Sequence, residues 1–264
     1  MNKLNDTSLD IMNTSRTVTN RDEGLVTRGL RGKIVIILGP TATGKTDASI
    51  EVALKLKEHN IKAEIINTDS MQIYEGFDIG TAKPTTQQME TIKHHLIGFI
   101  PATQHYNVAQ YVHTTTALIA QMHANNILPI LVGGSNMYVE GLLWPSVMDM
   151  QMEETGHNTL ELYEKLRMLD PERAAELHMN DRKRITRSLD VVKRSGMKHS
   201  ELIMIRRNEK NKSGPKYDSL MFAMLCETAE HKRRIKERTR KMLEDGILEE
   251  CNQLVELIGT ECLL

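Results

Sequence analysis

Residues Gly39, Pro40, Thr41, Ala42, Thr43, Gly44, Lys45 and Thr46 reproduce the spacing G-x-x-x-x-G-K-S/T. In that pattern glycines let the backbone curl until successive amide N–H groups point inward, where an anion can settle. A helix that follows adds the partial positive charge of its N-terminus. Lys45 then neutralises phosphate oxygens, and the Thr46 hydroxyl is placed to ligate Mg²⁺. The ligand class is a di- or triphosphate, and the loop does not choose between them. A nucleotide hydrolase normally adds a second apolar strand ending in Asp to hold the metal, whereas the run Leu128 to Val132 ends in Gly133-Gly134. The acidic residue at a strand end is Asp69, after Ile65-Ile66-Asn67-Thr68. In parallel sheets ligands sit beyond the carboxyl ends of the strands, so Asp69 is the candidate metal ligand or general base.

These side chains need elements to aim them. Ile34 to Leu38 is a continuous apolar run between Gly32 and Gly39, as expected for a strand buried on both faces. A helix is predicted from Lys45 to about Glu58, then a strand over Ala63 to Asn67 and a loop through Pro84. An amphipathic helix from about Asn107 to Asn125 and a strand over Leu128 to Val132 follow. Strand and helix alternate, which predicts an α/β fold with a mostly parallel sheet. After Trp144-Pro145 the pattern is helical: Thr159–Leu169, then a helix from Asp170-Pro171 with Asp170 as its cap, then about Asp181 to Arg194, stopping at Ser195-Gly196. Residues 206–216 read as a basic loop, Leu220 to Cys226 as a strand returning to the sheet, and the chain from about Glu227 as a long charged helix.

Five strings occur in order: GPTATGKT, TDSMQIYEGFDIGTAKP from Thr68, HHL from His94, PILVGGSNMY from Pro129, and LDPERAAELHMNDRKRITRSLDV from Leu169. Together they closely resemble the tRNA dimethylallyltransferases, over roughly residues 33 to 258. The adenylate isopentenyltransferases share the first strings but usually depart from DSMQ and GTAKP, so the tRNA branch is favoured. The resemblance implies a P-loop NTPase-like core with a helical insertion. The divisions expected are a disordered polar tail at 1–32, a P-loop core at 33–144, a tRNA-binding helical insertion at 145–214, and a return strand with C-terminal helix at 215–264.

It also implies prenyl transfer from dimethylallyl diphosphate to the exocyclic amine of the adenosine beside the anticodon of tRNA. Gly39 to Thr46 would hold the diphosphate with Mg²⁺, and Asp69 would accept the amine proton. Arg238, in the string from Arg234 to Leu243, matches the family arginine that steadies pyrophosphate, and Lys45 completes the catalytic set. Ser70, Met71, Gln72 and Ser135 match positions that read the target adenosine, and Asp181, Arg184 and Arg187 join them on the tRNA side. Adjacent histidines point to different faces and no carboxylate or cysteine sits at ligand spacing, so His94-His95 is not expected to bind metal.

Charge is asymmetric. The net charge is −1, yet residues 182–241 hold 19 Lys and Arg against 7 Asp and Glu. Such a one-signed segment reads as a track for the phosphates of a structured RNA, here the anticodon stem-loop. Hydrophobic residues make up 40 % of the chain, which excludes wholesale disorder. Three cysteines without a C-x-x-C pair exclude a disulfide scaffold and give no zinc signature. No run approaches the roughly 18 apolar residues of a membrane span. The cysteine usage and the absence of a membrane span fit a cytoplasmic protein; a monomer and a mitochondrial pool are further expectations. The family's further C-terminal helices and zinc finger are not in the chain, so a non-catalytic tRNA-binding remnant is the competing expectation. A P-loop NTPase or small-molecule kinase is disfavoured for want of the second-strand Asp.

Overall fold

The computed structural model describes residues 29–144 and 158–259. Most of the expected polar tail therefore lies outside the described residues, as does the segment after Trp144. The packed chain starts earlier than expected, because Leu30 lies against the core and its carbonyl accepts from Lys33 N at 3.0 Å.

Five strands make one sheet: β1 (Lys33–Leu38), β2 (Lys62–Asn67), β3 (His94–His95), β4 (Ile127–Gly133) and β5 (Asp218–Ala223). Their order is β3-β2-β4-β1-β5 and each pairing is parallel. The β-branched runs read from the sequence occupy the centre, and every residue of β4 is buried. Helix α1 (Lys45–Glu58) covers one face, where Ala53 meets Val35, Ile37, Ile65 and Ile130. Helices α3 (Val108–Ala124) and α4 (Asn136–Leu143) cover the other, where Ile119, Met122 and Leu142 meet Ile34, Ile36, Ile66 and Leu131. Burying each such side chain contributes about 2 kcal/mol. The short helix α2 (Thr86–Thr91), β3 and α4 were not anticipated from the sequence. Each is only a few residues long, too short for periodicity to reveal.

Helices α5 (Thr159–Leu169), α6 (Pro171–Ala175), α7 (Arg182–Ser195) and α8 (His199–Lys212) have an apolar centre of their own. It contains Leu162, Leu166, Ala174, Leu177 and Ile185. Asp170 caps α6 as its sequence position suggests, accepting from Arg173 N at 3.1 Å, and it also takes Ser200 N and Oγ at 2.9 and 2.7 Å. One expectation is corrected here. Residues 206–212 are helix rather than loop, because Arg206 to Lys212 contains no helix breaker and only Ser213-Gly214-Pro215 ends the run.

The return strand is also earlier than expected, at Asp218–Ala223. It is an edge strand whose Leu220, Met221 and Phe222 are exposed, which removes the burial signal that would have fixed its ends. The charged helix α9 (Thr228–Glu244) and α10 (Ile247–Ile258) follow. Among the described residues no helix is long and apolar enough to cross a membrane.

Candidate active site

The carboxyl ends of β1, β2 and β4 open into a cavity of about 530 Å³. The P-loop leaves β1 and enters α1 through Gly44, whose φ of 84° is left-handed and suits glycine. Gly39, Pro40, Thr41, Ala42, Gly44, Lys45 and Thr46 line the cavity. Thr43 does not: its side chain is buried and donates to the Pro40 carbonyl at 2.9 Å, bracing the loop from behind. Lys45 Nζ donates to the same carbonyl at 2.6 Å.

Asp69 faces the P-loop across the cavity. Its position is fixed by Asn67, which is buried at the end of β2. Asn67 Oδ1 accepts from Asp69 N at 2.9 Å, and Asn67 Nδ2 donates to the carbonyls of Asp69 and Leu96, both at 3.0 Å. Tyr111 of α3, stacked on Tyr138 of α4 at 3.9 Å, donates to the Asn67 carbonyl at 3.0 Å. The Asp69 carboxylate itself accepts from Met71 N at 2.9 Å, which leaves its other oxygen for the cavity.

The ends of β2 and β4 are locked together. Ser135 N donates to the Thr68 carbonyl at 3.0 Å, and Ser135 Oγ accepts from Ser70 N at 3.0 Å. Gly133 makes this closeness possible, since a Cβ there would lie 2.4 Å from the Thr68 carbonyl carbon. Gly133, at the end of β4, is thus a point of close backbone approach between strand ends.

Helix α9 closes the far wall. Arg238 lines the cavity and donates from Nη1 to Thr41 Oγ1 at 2.5 Å, while His231 Nε2 contacts the Thr41 carbonyl at 2.8 Å. The charges feel one another. Burial pushes the Lys45 ammonium below its usual pKa, with Asp69 opposing and Arg238 reinforcing the shift. Burial likewise lowers that of Arg238, again opposed by Asp69. Two half-buried cations therefore face one carboxylate, an arrangement that favours a polyanion between them.

Ser70, Gln72 and Ser135 line the cavity with Asp69, whereas Met71 is 48 % exposed and lies outside its lining. Asp181, Arg184 and Arg187 are not brought to it. Asp181 is the N-cap of α7, accepting from Arg184 N at 3.1 Å and pairing with the Arg184 guanidinium at 3.5 Å. Arg187 borders a second groove with Arg206, Arg207, Lys210 and Trp144. Lys210 lies 4.3 Å above the Trp144 ring and pairs with Glu140 at 2.8 Å. Helix α4 connects the two places: Ser135 at its start lines the cavity, and Met137, Glu140 and Gly141 line the groove. At about 1.5 Å per residue, the groove begins within roughly 10 Å of Ser135 along the helix axis.

His95 pairs with the buried Glu64 at 2.6 Å, and His94 Nδ1 contacts the Ile92 carbonyl at 2.7 Å. Both histidines thus have structural partners, and among the described residues no cluster of three or more His, Cys, Asp or Glu could hold a metal by itself. Sequence reading missed Asn67, Tyr111 and His231. The signal for Asn67 was present in its place two residues before Asp69, where an Asx side chain can bond the backbone ahead of it.

An IPP transferase family model matches residues 72–262. The chain is 35 % identical over 247 residues to the human tRNA dimethylallyltransferase, covering 84 % of this chain and 52 % of that one. Against the tRNA dimethylallyltransferase of Halothermothrix orenii it is 35 % identical over 233 residues, covering 84 % and 68 %. It therefore spans about half the human relative and about two thirds of the bacterial one. Among solved structures, a eukaryotic dimethylallyltransferase acting on tRNA superposes with a TM-score of 0.70 at 29 % identity, over 87 % of this chain and 57 % of that one. The tRNA isopentenylpyrophosphate transferase of Bacillus halodurans gives 0.58 at 31 % identity, over 85 % and 70 %. With a P-loop and a strand-end carboxylate facing one cavity, and with these relatives, the chain belongs to the IPP transferase family.

Proposed function

We propose that the chain transfers a dimethylallyl group from dimethylallyl diphosphate to the exocyclic amine of the adenosine beside the anticodon of tRNA. The observation that carries this is the convergence of Asp69, Lys45 and Arg238 on one cavity floored by the P-loop. Lys45, the P-loop amides and Arg238 grip the diphosphate and stabilise the charge that grows on it as the carbon–oxygen bond breaks. Asp69 takes the proton that the amine loses as its nitrogen bonds to the prenyl carbon. An adenine amine is a weak nucleophile, so alignment by Ser70, Gln72 and Ser135 matters as much as the base.

The residues also fit a divalent cation. One hydroxyl, Thr46, at the first turn of α1 and one carboxylate, Asp69, line the same cavity, and hard oxygen donors of this kind suit Mg²⁺ that takes its remaining ligands from diphosphate and water. Bound there, Mg²⁺ would supply charge neutralisation on the leaving group.

The groove of Arg187, Arg206, Arg207 and Lys210 continues from the cavity along α4, so it is the surface proposed for the phosphates of the anticodon stem. The same reading proposes a monomer acting in the cytoplasm, with a mitochondrial pool. The test is incubation of the full chain with labelled dimethylallyl diphosphate, Mg²⁺ and unmodified tRNA, with labelled tRNA as the expected product. Transfer to free AMP but not to tRNA would replace this reading with adenylate prenylation. Salt-sensitive tRNA binding without any product would leave an RNA-binding protein.

A further inference from the structure

Helix α10 grips the rim of the cavity through a single carboxylate. Glu250 Oε1 accepts from Asp78 N at 2.7 Å and Ile79 N at 2.8 Å, and Oε2 accepts from Gly80 N at 2.8 Å. Three consecutive backbone donors, about 170 residues away in sequence, thus converge on one side chain. Charge-assisted bonds to a carboxylate are roughly twice as strong as neutral ones. Leu254, buried one turn further along α10, sits 3.8 Å from the site where a side chain at Gly76 would begin.

The segment so held runs directly into the cavity wall, where Thr81, Ala82 and Lys83 line it. Ala82 has a φ of 48°, a left-handed conformation that persists only when its surroundings over-determine it. The carbonyls of Thr81 and Ala82 receive Gln72 Nε2 at 3.1 and 3.0 Å. Lys83 Nζ ties Asp78 Oδ1 and the Tyr74 carbonyl at 2.6 and 2.5 Å. Gln72 and Lys83 therefore hold the acceptor groups of the turn, and Glu250 holds its donors. Neither of the other two grips can replace it.

We propose that Glu250 is a positioning residue for the reaction: it sets the 78–82 turn, and through that turn the side chain of Gln72 on the wall that receives the adenosine. The inference rests on the prenyl-transfer reading for its kinetic consequence, but the clamp itself is measurable without turnover. The perturbations are Glu250→Ala, which removes both acceptor oxygens and with them all three bonds, and the isosteric Glu250→Gln, which keeps one acceptor oxygen and protects against a trivial loss of folding.

Amide hydrogen exchange on the full chain should show residues 78–80 exchanging about ten-fold faster or more in the Ala variant, with Gln in between. The amides of β1 and β4 should be unchanged. In the labelled transfer assay, KM for tRNA should rise about ten-fold in the Ala variant, with kcat and KM for dimethylallyl diphosphate within about two-fold. Unchanged exchange at 78–80 overturns the clamp. Faster exchange with an unaltered KM for tRNA in an active enzyme overturns the positioning role, as does a loss of β1 and β4 protection that drags every kinetic constant down together. If the unsubstituted chain transfers no prenyl group, prenyl transfer fails, while the exchange data still decide whether the clamp exists.

Discussion

Replacing Asn67 with Ala should damage stability and catalysis together, and the size of each can be worked out in advance. Asn67 is 3 % exposed, so water cannot replace what its side chain provides. The Ala variant strands one N–H, that of Asp69, and two carbonyls, those of Asp69 and Leu96. At about 1 kcal/mol for each lost bond, the total is about 3 kcal/mol. For a chain of this size that lowers Tm by roughly 6–12 °C. The lost bonds also free the turn that carries the Asp69 carboxylate, and a displacement of about 1 Å at a reacting group can cost about a hundred-fold in rate. Asn67→Asp separates the effects: it keeps volume and one acceptor but aims a carboxylate oxygen at two carbonyls, so its deficit should shrink as pH falls and that oxygen gains a proton. Urea unfolding and single-turnover prenyl transfer on both variants provide the measurements. If Asn67→Ala unfolds within about 0.5 kcal/mol of the unsubstituted chain and keeps its rate, Asn67 does not position Asp69.

Three other outcomes are expected. Arg238→Ala should weaken inorganic pyrophosphate binding by about ten-fold in titration calorimetry, by removing a charge-assisted contact; equal affinity would take Arg238 off the diphosphate. Gly133→Ala should cost about 3 kcal/mol in urea unfolding and slow turnover, because its methyl would overlap the Thr68 backbone; a silent variant would mean the strand ends can part freely.

His199 predicts a pH dependence. Burial first, then the neighbouring Arg173, Arg187 and Arg206, hold its pKa down at about 4, below the usual value near 6.5. The unfolded chain therefore takes up the proton before the folded one does. Stability should be flat above about pH 6.5 and fall by about 2–3 kcal/mol between there and pH 4. His199→Gln should flatten that slope, and an unaltered slope would assign the loss to other groups.

Much of this site could be read along the chain because its main parts are local. The P-loop lies within eight consecutive residues, and Asp69 lies just beyond a strand whose β-branched run announces it. Arg238 differs: on charge pattern it is one cation among many on α9, and only the family resemblance singled it out. Glu250 and His231 left no trace, since each acts on backbone groups more than 150 residues away and backbone donors carry no residue signature. The 206–216 segment shows the reverse error. Its charge suggested solvent, but charge does not oppose helix when no residue interrupts the backbone ladder.

The bonds from His231 and Arg238 to Thr41 span 190 and 197 residues. During synthesis the phosphate loop must therefore leave the ribosome long before the helix that leans on it. At about 5–20 residues per second the delay is roughly 10–40 s, during which β1 also lacks its neighbour β5. The nascent chain can close its loop over α1 early, yet its far wall follows only some 190 residues later. Chains released before α9 would carry an intact phosphate-loop sequence without the arginine that completes its grip, so the order of synthesis delays full assembly of the site until α9 has emerged.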